Sequence, residues 1–230
     1  MFAARNLFLR SKLRGVAPQA REPWLRRAVK RVLRVYMRLW HRLEVQGLEH
    51  LPPRGPALVL LNHASLLDVP ALMALDPYTD TAMIAKASLL NVPLLGVALR
   101  RWGAIPVERQ GRDSMGVRAL LTALRAGRVV AVAAEGRRTR SGHLERINPV
   151  LAKIAATADV PLIPIGIGGS FRALPPGAVV PRRAPIVVRV GRPFRLARGT
   201  DPATAAERIQ SEIAALLPPE QQPQALRTRP

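Results

Sequence analysis

From residue 57 onward, short apolar runs alternate with helix-period segments. That alternation predicts an α/β fold, a mostly parallel central sheet flanked by helices. Two further observations agree. The runs at 57–63 (ALVLLNH) and 129–135 (VVAVAAE) read as buried strands, and 22 Pro residues punctuate the 230-residue chain into short elements. The length suits one well-packed domain with an appendage.

The appendage comes first. Over residues 24–43 (WLRRAVKRVLRVYMRLWHRL), apolar side chains recur at Trp24, Ala28, Val32, Tyr36, Trp40 and Leu43, with Leu25, Val29, Leu33 and Met37 beside them. Arg27, Arg31, Arg34, Arg38 and Arg42 take the opposite side, and Pro23 suits a first turn. This is an amphipathic helix with a strongly basic face. Tryptophan and arginine both find favourable depths in a membrane interface, so the helix is expected to lie in one. A helix packed on the domain core with a solvated basic face is the alternative.

Residues 48–56 form a turn-rich link. The strand at 57–63 leads into a helix at 69–75. A strand at 81–86 precedes a helix at 88–102, kinked or started near Pro93, and then a short strand at 104–107. An amphipathic helix at 114–127 closes on Gly127 before the strand at 129–135. A helix at 148–158, strands at 161–167 and 185–191, and a helix capped by Thr200 or Asp201 with Pro202 in its first turn complete the order. The tail, PPEQQPQALRTRP, reads as disordered.

Composition narrows the chemistry. With no cysteine, disulfides, thiolate metal sites and a cysteine nucleophile are excluded. Four scattered histidines lack metal-ligand spacing, so no metal is expected. A net charge of +21 calls for an anionic partner: nucleic acid, an anionic membrane surface, or an acidic or phosphorylated substrate. An arginine-rich composition without function is the bland alternative. Nucleic acid is not expected, because interleaved aromatics and a recognition helix are missing. There is no apolar run long enough to cross a bilayer, and the basic start, MFAARNLFLRSKLRG, does not read as a secretory signal.

The sharpest feature follows the first buried strand: Asn62-His63-Ala64-Ser65-Leu66-Leu67-Asp68. On a straight helix, residues five apart point about 140° away from each other. Pro70 is tolerated only in a first turn, so the helix starts near Asp68 and His63 lies on the turn before it. Such a strand–turn–helix can bring the carboxylate to the imidazole. Histidine can take a proton from an alcohol near neutrality, and a carboxylate on its other nitrogen fixes the tautomer and stabilises the imidazolium. The pair has no nucleophile of its own, so a substrate hydroxyl would serve. Taken alone, the spacing also fits a capping Asp beside a buried histidine, or a capping box from Ser65 to Asp68.

The segment resembles the Asn-His-x-x-x-x-Asp signature of the 1-acyl-sn-glycerol-3-phosphate acyltransferase family, as does the preceding VQGLEHLPPRGPALVLL. Gly103 to Arg109 (GAIPVER) resembles the family's second motif, in which the arginine is assigned to the substrate phosphate. Glu135-Gly136 with Arg137, Arg138, Thr139, Arg140 and Ser141 resembles the third, Glu-Gly-Thr-Arg-Ser. Val160 to Ile165 (VPLIPI) resembles the fourth. The likeness covers roughly residues 43–195, and four motifs stand in order. The third departs from the pattern: Ala133-Ala134 stand where the family has Phe-Pro. Either Arg137 replaces its threonine, or Arg137-Arg138 is an insertion before Thr139-Arg140-Ser141.

The resemblance implies transfer of a fatty acyl group to the free hydroxyl of a lysophospholipid, 1-acylglycerol-3-phosphate giving phosphatidate. His63 and Asp68 would be catalytic; Arg109, Glu135, Gly136, Arg137, Arg138, Thr139 and Arg140 would bind substrate, with oxyanion-stabilising N–H groups near Gly136. The acyl donor would be acyl-CoA or acyl carrier protein, with no bound cofactor. Another lysolipid acceptor, such as a lyso-amino-acid lipid, and a non-catalytic basic membrane or nucleic-acid-binding protein are the alternatives. The expected organisation is a membrane-association segment over 1–47, an acyltransferase domain over 48–216 and a disordered tail over 217–230, peripheral or monotopic on the cytoplasmic face of the cell membrane.

Overall fold

The computed structural model describes residues 24–78, 81–93, 95–107 and 114–223. Helix α1 (Trp24–His41) leads into strand β1 (Glu44–Gln46), then β2 (Ala57–Leu61) and α2 (Asp68–Leu75). Next come β3 (Ala82–Lys86), α3 (Leu95–Arg101), β4 (Ala104–Val107), α4 (Ser114–Arg125), β5 (Val129–Ala133) and α5 (Pro149–Thr157). The chain continues through β6 (Leu162–Gly168), the short α6 (Ser170–Ala173), β7 (Val187–Val190) and α7 (Pro202–Ala214).

The sheet order is β1-β7-β6-β2-β5-β3-β4. All neighbours pair in parallel except β6 with β7, so β1 and β7 run against the other five strands. The fold is therefore α/β with a mostly parallel sheet, as the alternation predicts. Both faces are covered, which explains the continuous apolar runs. In β2, Ala57, Val59 and Leu61 enter the core beneath α1 and α2, while Leu58 and Leu60 enter the core shared with α4, α5 and α7. Gly166 in β6 lets α7's C-terminal turn approach: a Cβ there would lie 2.6 Å from that of Leu216.

Caps explain several boundaries. Asn148 accepts from Val150 N–H and Leu151 N–H to start α5. Between Thr200 and Asp201, it is Asp201 that caps α7, accepting from Ala203 N–H and Thr204 N–H.

Three expectations change. The helix expected over 88–102 splits into a 3-10 turn, Ala87–Asn91, and α3; Val92, before Pro93, is extended (ψ 124°), as the proline ring requires. Strand β1 was not expected. Leu217 and Gln221, inside the expected disordered tail, are buried: Gln221 Oε1 accepts from Gly169 N–H, and its carbonyl accepts from Leu144 N–H. Residues 224–230 lie outside the described residues.

Helix α1 departs most from its reading. It packs on the domain, with Met37 and His41 fully buried. Arg26 and Lys30, not apolar residues, fill much of the inward face. Trp24, Val32, Val35, Leu39 and Trp40 face outward, with Trp24 73% and Leu39 70% exposed. Arg27, Arg31 and Arg42 are exposed beside them, while Arg34 and Arg38 are half-buried. One face thus packs on the core, as the alternative has it, and the other offers apolar rings and guanidiniums outward.

Candidate active site

The carboxyl ends of β2, β5 and β6 lie side by side, and the segments leaving them build one cluster. It forms at the strand-to-helix edge where parallel α/β sheets gather their binding groups.

After β2, the turn at 62–67 is pinned from several directions. Asn62 extends the β2–β6 ladder with its side chain, donating from Nδ2 to Ile167 O (3.0 Å) and accepting at Oδ1 from Ile167 N–H (2.7 Å). Ser65 Oγ donates to Leu174 O (2.8 Å) and accepts from Leu67 N–H (3.1 Å). These bonds hold the turn so that α2 begins at Asp68 with its carboxylate folded back over it. Asp68 Oδ2 lies 2.9 Å from His63 Nδ1 and also accepts from Ala64 N–H (2.8 Å) and Ser65 N–H (2.7 Å). The last of these is the carboxylate half of the capping box. Asp68 is fully buried, and its Oδ1 has no hydrogen-bond partner among the described residues. The His63 ring is 14% exposed, and no hydrogen bond to Nε2 occurs among the described residues.

The loop after β5 grips the backbone of His63. Glu135 Oε2 accepts from His63 N–H (2.8 Å), and Thr139 N–H donates to His63 O (2.9 Å). The other Glu135 oxygen accepts from Glu145 N–H (2.8 Å). Burial pushes the Glu135 carboxyl up to about 7; the bonds from Glu145 N–H and His63 N–H oppose the rise, and the Glu145 and Asp68 charges add to it.

The residues expected to bind substrate differ in what they contact. Glu135 is buried with both oxygens on backbone N–H groups, so it holds the histidine's main chain. Gly136 turns the chain at φ +75°, and its N–H donates to Ala133 O (3.0 Å). Thr139 is 1% exposed; its Oγ1 bonds Glu145 Oε1 (3.1 Å) and Ser141 Oγ (3.0 Å). Arg137 stands at the surface on Glu145 (3.0 Å). Thr139 thus takes the buried place beside the histidine, and Arg137 stands outside it. Arg138 is half-buried and Arg140 exposed. Arg109 lies outside the described residues.

Sequence reasoning offered Ser65 only as a capping residue and gave no role to the Asn62 side chain or to Glu145. Asn62 and Ser65 sit inside the His63 motif, but the bonds that tie their side chains to the rest of the fold go to backbone groups more than a hundred residues away. Nothing in the sequence signals Glu145.

A small apolar cavity of about 30 Å³ lies between β2 and α2, the elements that flank the dyad turn. Val59, Met73, Leu75, Trp102, Ile165 and Val188 are among its lining.

The family model for acyltransferases matches residues 42–168. The chain belongs to the acyltransferase family. The match spans β2, the His63–Asp68 turn, the loop after β5 and β6. Acyltransferase relatives include the chloroplastic 1-acyl-sn-glycerol-3-phosphate acyltransferase BAT2 of Brassica napus, 28% identical over 142 residues, which cover 60% of this chain and 41% of that protein. The 1-acyl-sn-glycerol-3-phosphate acyltransferase alpha of Mus musculus is 34% identical over 127 residues, covering 54% and 44%. The chain thus spans less than half the length of these relatives. The crystal structure of the 1-acyl-sn-glycerophosphate (LPA) acyltransferase PlsC from Thermotoga maritima superposes with a TM-score of 0.68. It is 20% identical and covers 100% of this chain and 99% of its own, which establishes the shared fold.

Proposed function

We propose that this chain transfers a fatty acyl group from acyl-CoA or acyl carrier protein to the free hydroxyl of a lysophospholipid, 1-acylglycerol-3-phosphate first among them. The observation that carries the reading is the 2.9 Å contact between His63 Nδ1 and a fully buried Asp68. With the proton on Nδ1, Nε2 presents a lone pair. That nitrogen takes the proton of the acceptor hydroxyl as its oxygen attacks the thioester carbonyl. Asp68 stabilises the imidazolium so formed. The tetrahedral intermediate then collapses, the C–S bond breaks, and the departing thiolate takes the proton from Nε2. Ester and free thiol leave with the histidine restored, so no acyl-enzyme forms.

Acceptor and setting follow from the surroundings. Arg138 and Arg140, with Arg109, supply guanidiniums for the phosphate. The outward face of α1, tryptophans and aliphatic residues bordered by arginines, suits a peripheral seat on an anionic leaflet. Among the described residues no helix is long and apolar enough to cross a membrane. Named relatives act on 1-acyl-sn-glycerol-3-phosphate, which supports the choice of acceptor.

The test is incubation of the purified protein with labelled long-chain acyl-CoA and a panel of lysolipids. Phosphatidate from lysophosphatidate, at a higher rate than any product from lysophosphatidylcholine or lyso-amino-acid lipids, is expected. Preference for a lysolipid without a phosphomonoester would contradict the assignment of the arginines.

A further inference from the structure

The segment between α6 and β7 supplies no residue to the proposed chemistry, and it carries the two most exposed aliphatic β-branched residues described. Val179 is 89% exposed and Val180 77%. Single exposed apolar residues are ordinary on a protein surface. Two in sequence, at the tip of a stiffened loop with cations beside them, are not. Pro175-Pro176-Gly177-Ala178 close a turn through Ala178 N–H to Pro175 O (3.1 Å), with Gly177 at φ +91° in the position that a type II turn reserves for glycine. Ala178 packs back on the core, so the turn is seated and the valines project beyond it. Pro181 follows, then Arg182 and Arg183, both exposed, and no Asp or Glu occurs between Asp159 and Asp201.

The loop's two ends fix where it is attached. At one end, Leu174 O receives Ser65 Oγ of the dyad turn (2.8 Å), and Ala173 O receives Arg182 N–H (2.7 Å). At the other, Ala184 O meets His41 Nδ1 (3.2 Å), and Ile186 N–H donates to His41 O (2.9 Å), at the last residue of α1. The loop therefore bridges the dyad turn and the end of the helix whose outward face is apolar and basic.

We infer that Val179 and Val180 form a second membrane contact, entering the acyl boundary of an anionic leaflet while Arg182 and Arg183 meet lipid headgroups. Charge complementarity and attachment to α1 select the occupant: an apolar pair followed by guanidiniums matches the depth profile of a bilayer surface. With α1 and the loop both seated, the dyad turn is held at the leaflet from which a lipid acceptor would arrive. The inference extends the membrane reading of α1, and the test separates the two.

Because the chain has no cysteine, single labelling sites are clean. An environment-sensitive fluorophore is placed in Val180→Cys, in Val32→Cys on α1, and in Glu207→Cys on α7 as a remote control. Vesicles of phosphatidylcholine with phosphatidylglycerol are then added, with and without spin-labelled lipid. A blue shift and quenching at 180 and 32 with silence at 207 is the expected result. A lipid signal at 32 alone would overturn the loop contact and leave the α1 reading intact; silence at both would remove both. A response at 180 to acyl carrier protein but not to vesicles would make the loop a protein-docking element and sink the proposal. The unlabelled V179D/V180D protein, altered only at exposed positions, should keep its circular dichroism and lose about tenfold or more in vesicle partitioning. The R182Q/R183Q protein should lose about tenfold on anionic vesicles only. Unchanged partitioning in the valine variant would also overturn it.

Discussion

Helix α2 buries a carboxylate at each end, and the two are held in opposite ways. At its start, Asp68 sits where the helix dipole favours a negative charge, takes two backbone N–H groups, and has the His63 imidazole as its hydrogen-bonded titratable partner among the described residues. At its end, Asp76 sits where the dipole disfavours a negative charge, and permanent cations surround it. Arg26 contacts it at 2.8 Å and Lys30 at 3.5 Å, while Thr81 Oγ1 donates at 2.7 Å. Lys30 Nζ also donates to Tyr78 O, just past the helix, and Arg34 Nε to Ala74 O in its last turn, so three cations of α1 gather at the carboxyl end of α2. Arg26 lies over the Trp102 ring, 4.5 Å from its centroid. One end is a rivet between helices. The other sets a buried carboxylate against an imidazole, the pairing that the proposed proton transfer calls for.

That contrast can be broken at either end. Asp68→Asn keeps an oxygen for the backbone N–H groups but cannot stabilise an imidazolium; kcat should fall by roughly 10²–10⁴-fold with circular dichroism unchanged. A wild-type rate in that variant would make Asp68 a cap and nothing more. Arg26→Ala should act on stability instead, with a loss of about 3 kcal/mol in denaturant unfolding, because it strips the closest cation from buried Asp76. The Arg26→Met/Asp76→Leu double variant should recover most of that loss.

Glu135 adds a pH signature. Its carboxyl is raised from 4.5 to about 7, chiefly by burial, so the folded protein keeps this proton over a range in which the unfolded chain has lost it. Its contribution to stability is therefore full below pH 4.5 and is lost as the pH rises through about 7, an effect on the order of 3 kcal/mol. Denaturant unfolding of wild type against Glu135→Gln should show the downward slope in wild type and a flatter line in the variant. The smallest effect belongs to Arg137→Ala: its contact with Glu145 is made by a side chain 71% exposed, and stability should change by less than about 0.5 kcal/mol.

Much of this was legible in the sequence where the signal is local. The buried strands, the Asp201-Pro202 helix start and the break at Pro93 each follow from a residue and its neighbours. The His63–Asp68 turn was legible because Pro70 limits where a helix can begin. What stayed hidden depends on distant partners. The inward turn of Arg26 and Lys30 could not be read from α1, because the carboxylate that draws them in lies fifty residues away from Arg26. Long apolar stems also let these cations pack where the periodicity places aliphatic groups. Glu135 carries a motif signature, but its partners are backbone N–H groups, which every residue has. Strand β1 is three residues long and only partly buried, too short for a periodic pattern.

The most direct measurement follows labelled acyl transfer from acyl-CoA to lysophosphatidate by wild type and by His63→Ala, purified in parallel and matched in circular dichroism and vesicle binding. Product from wild type and a loss of at least about 10³-fold in the variant is the expected result. Comparable product from both would contradict His63 as the base, and with it the meaning given to the catalytic end of α2.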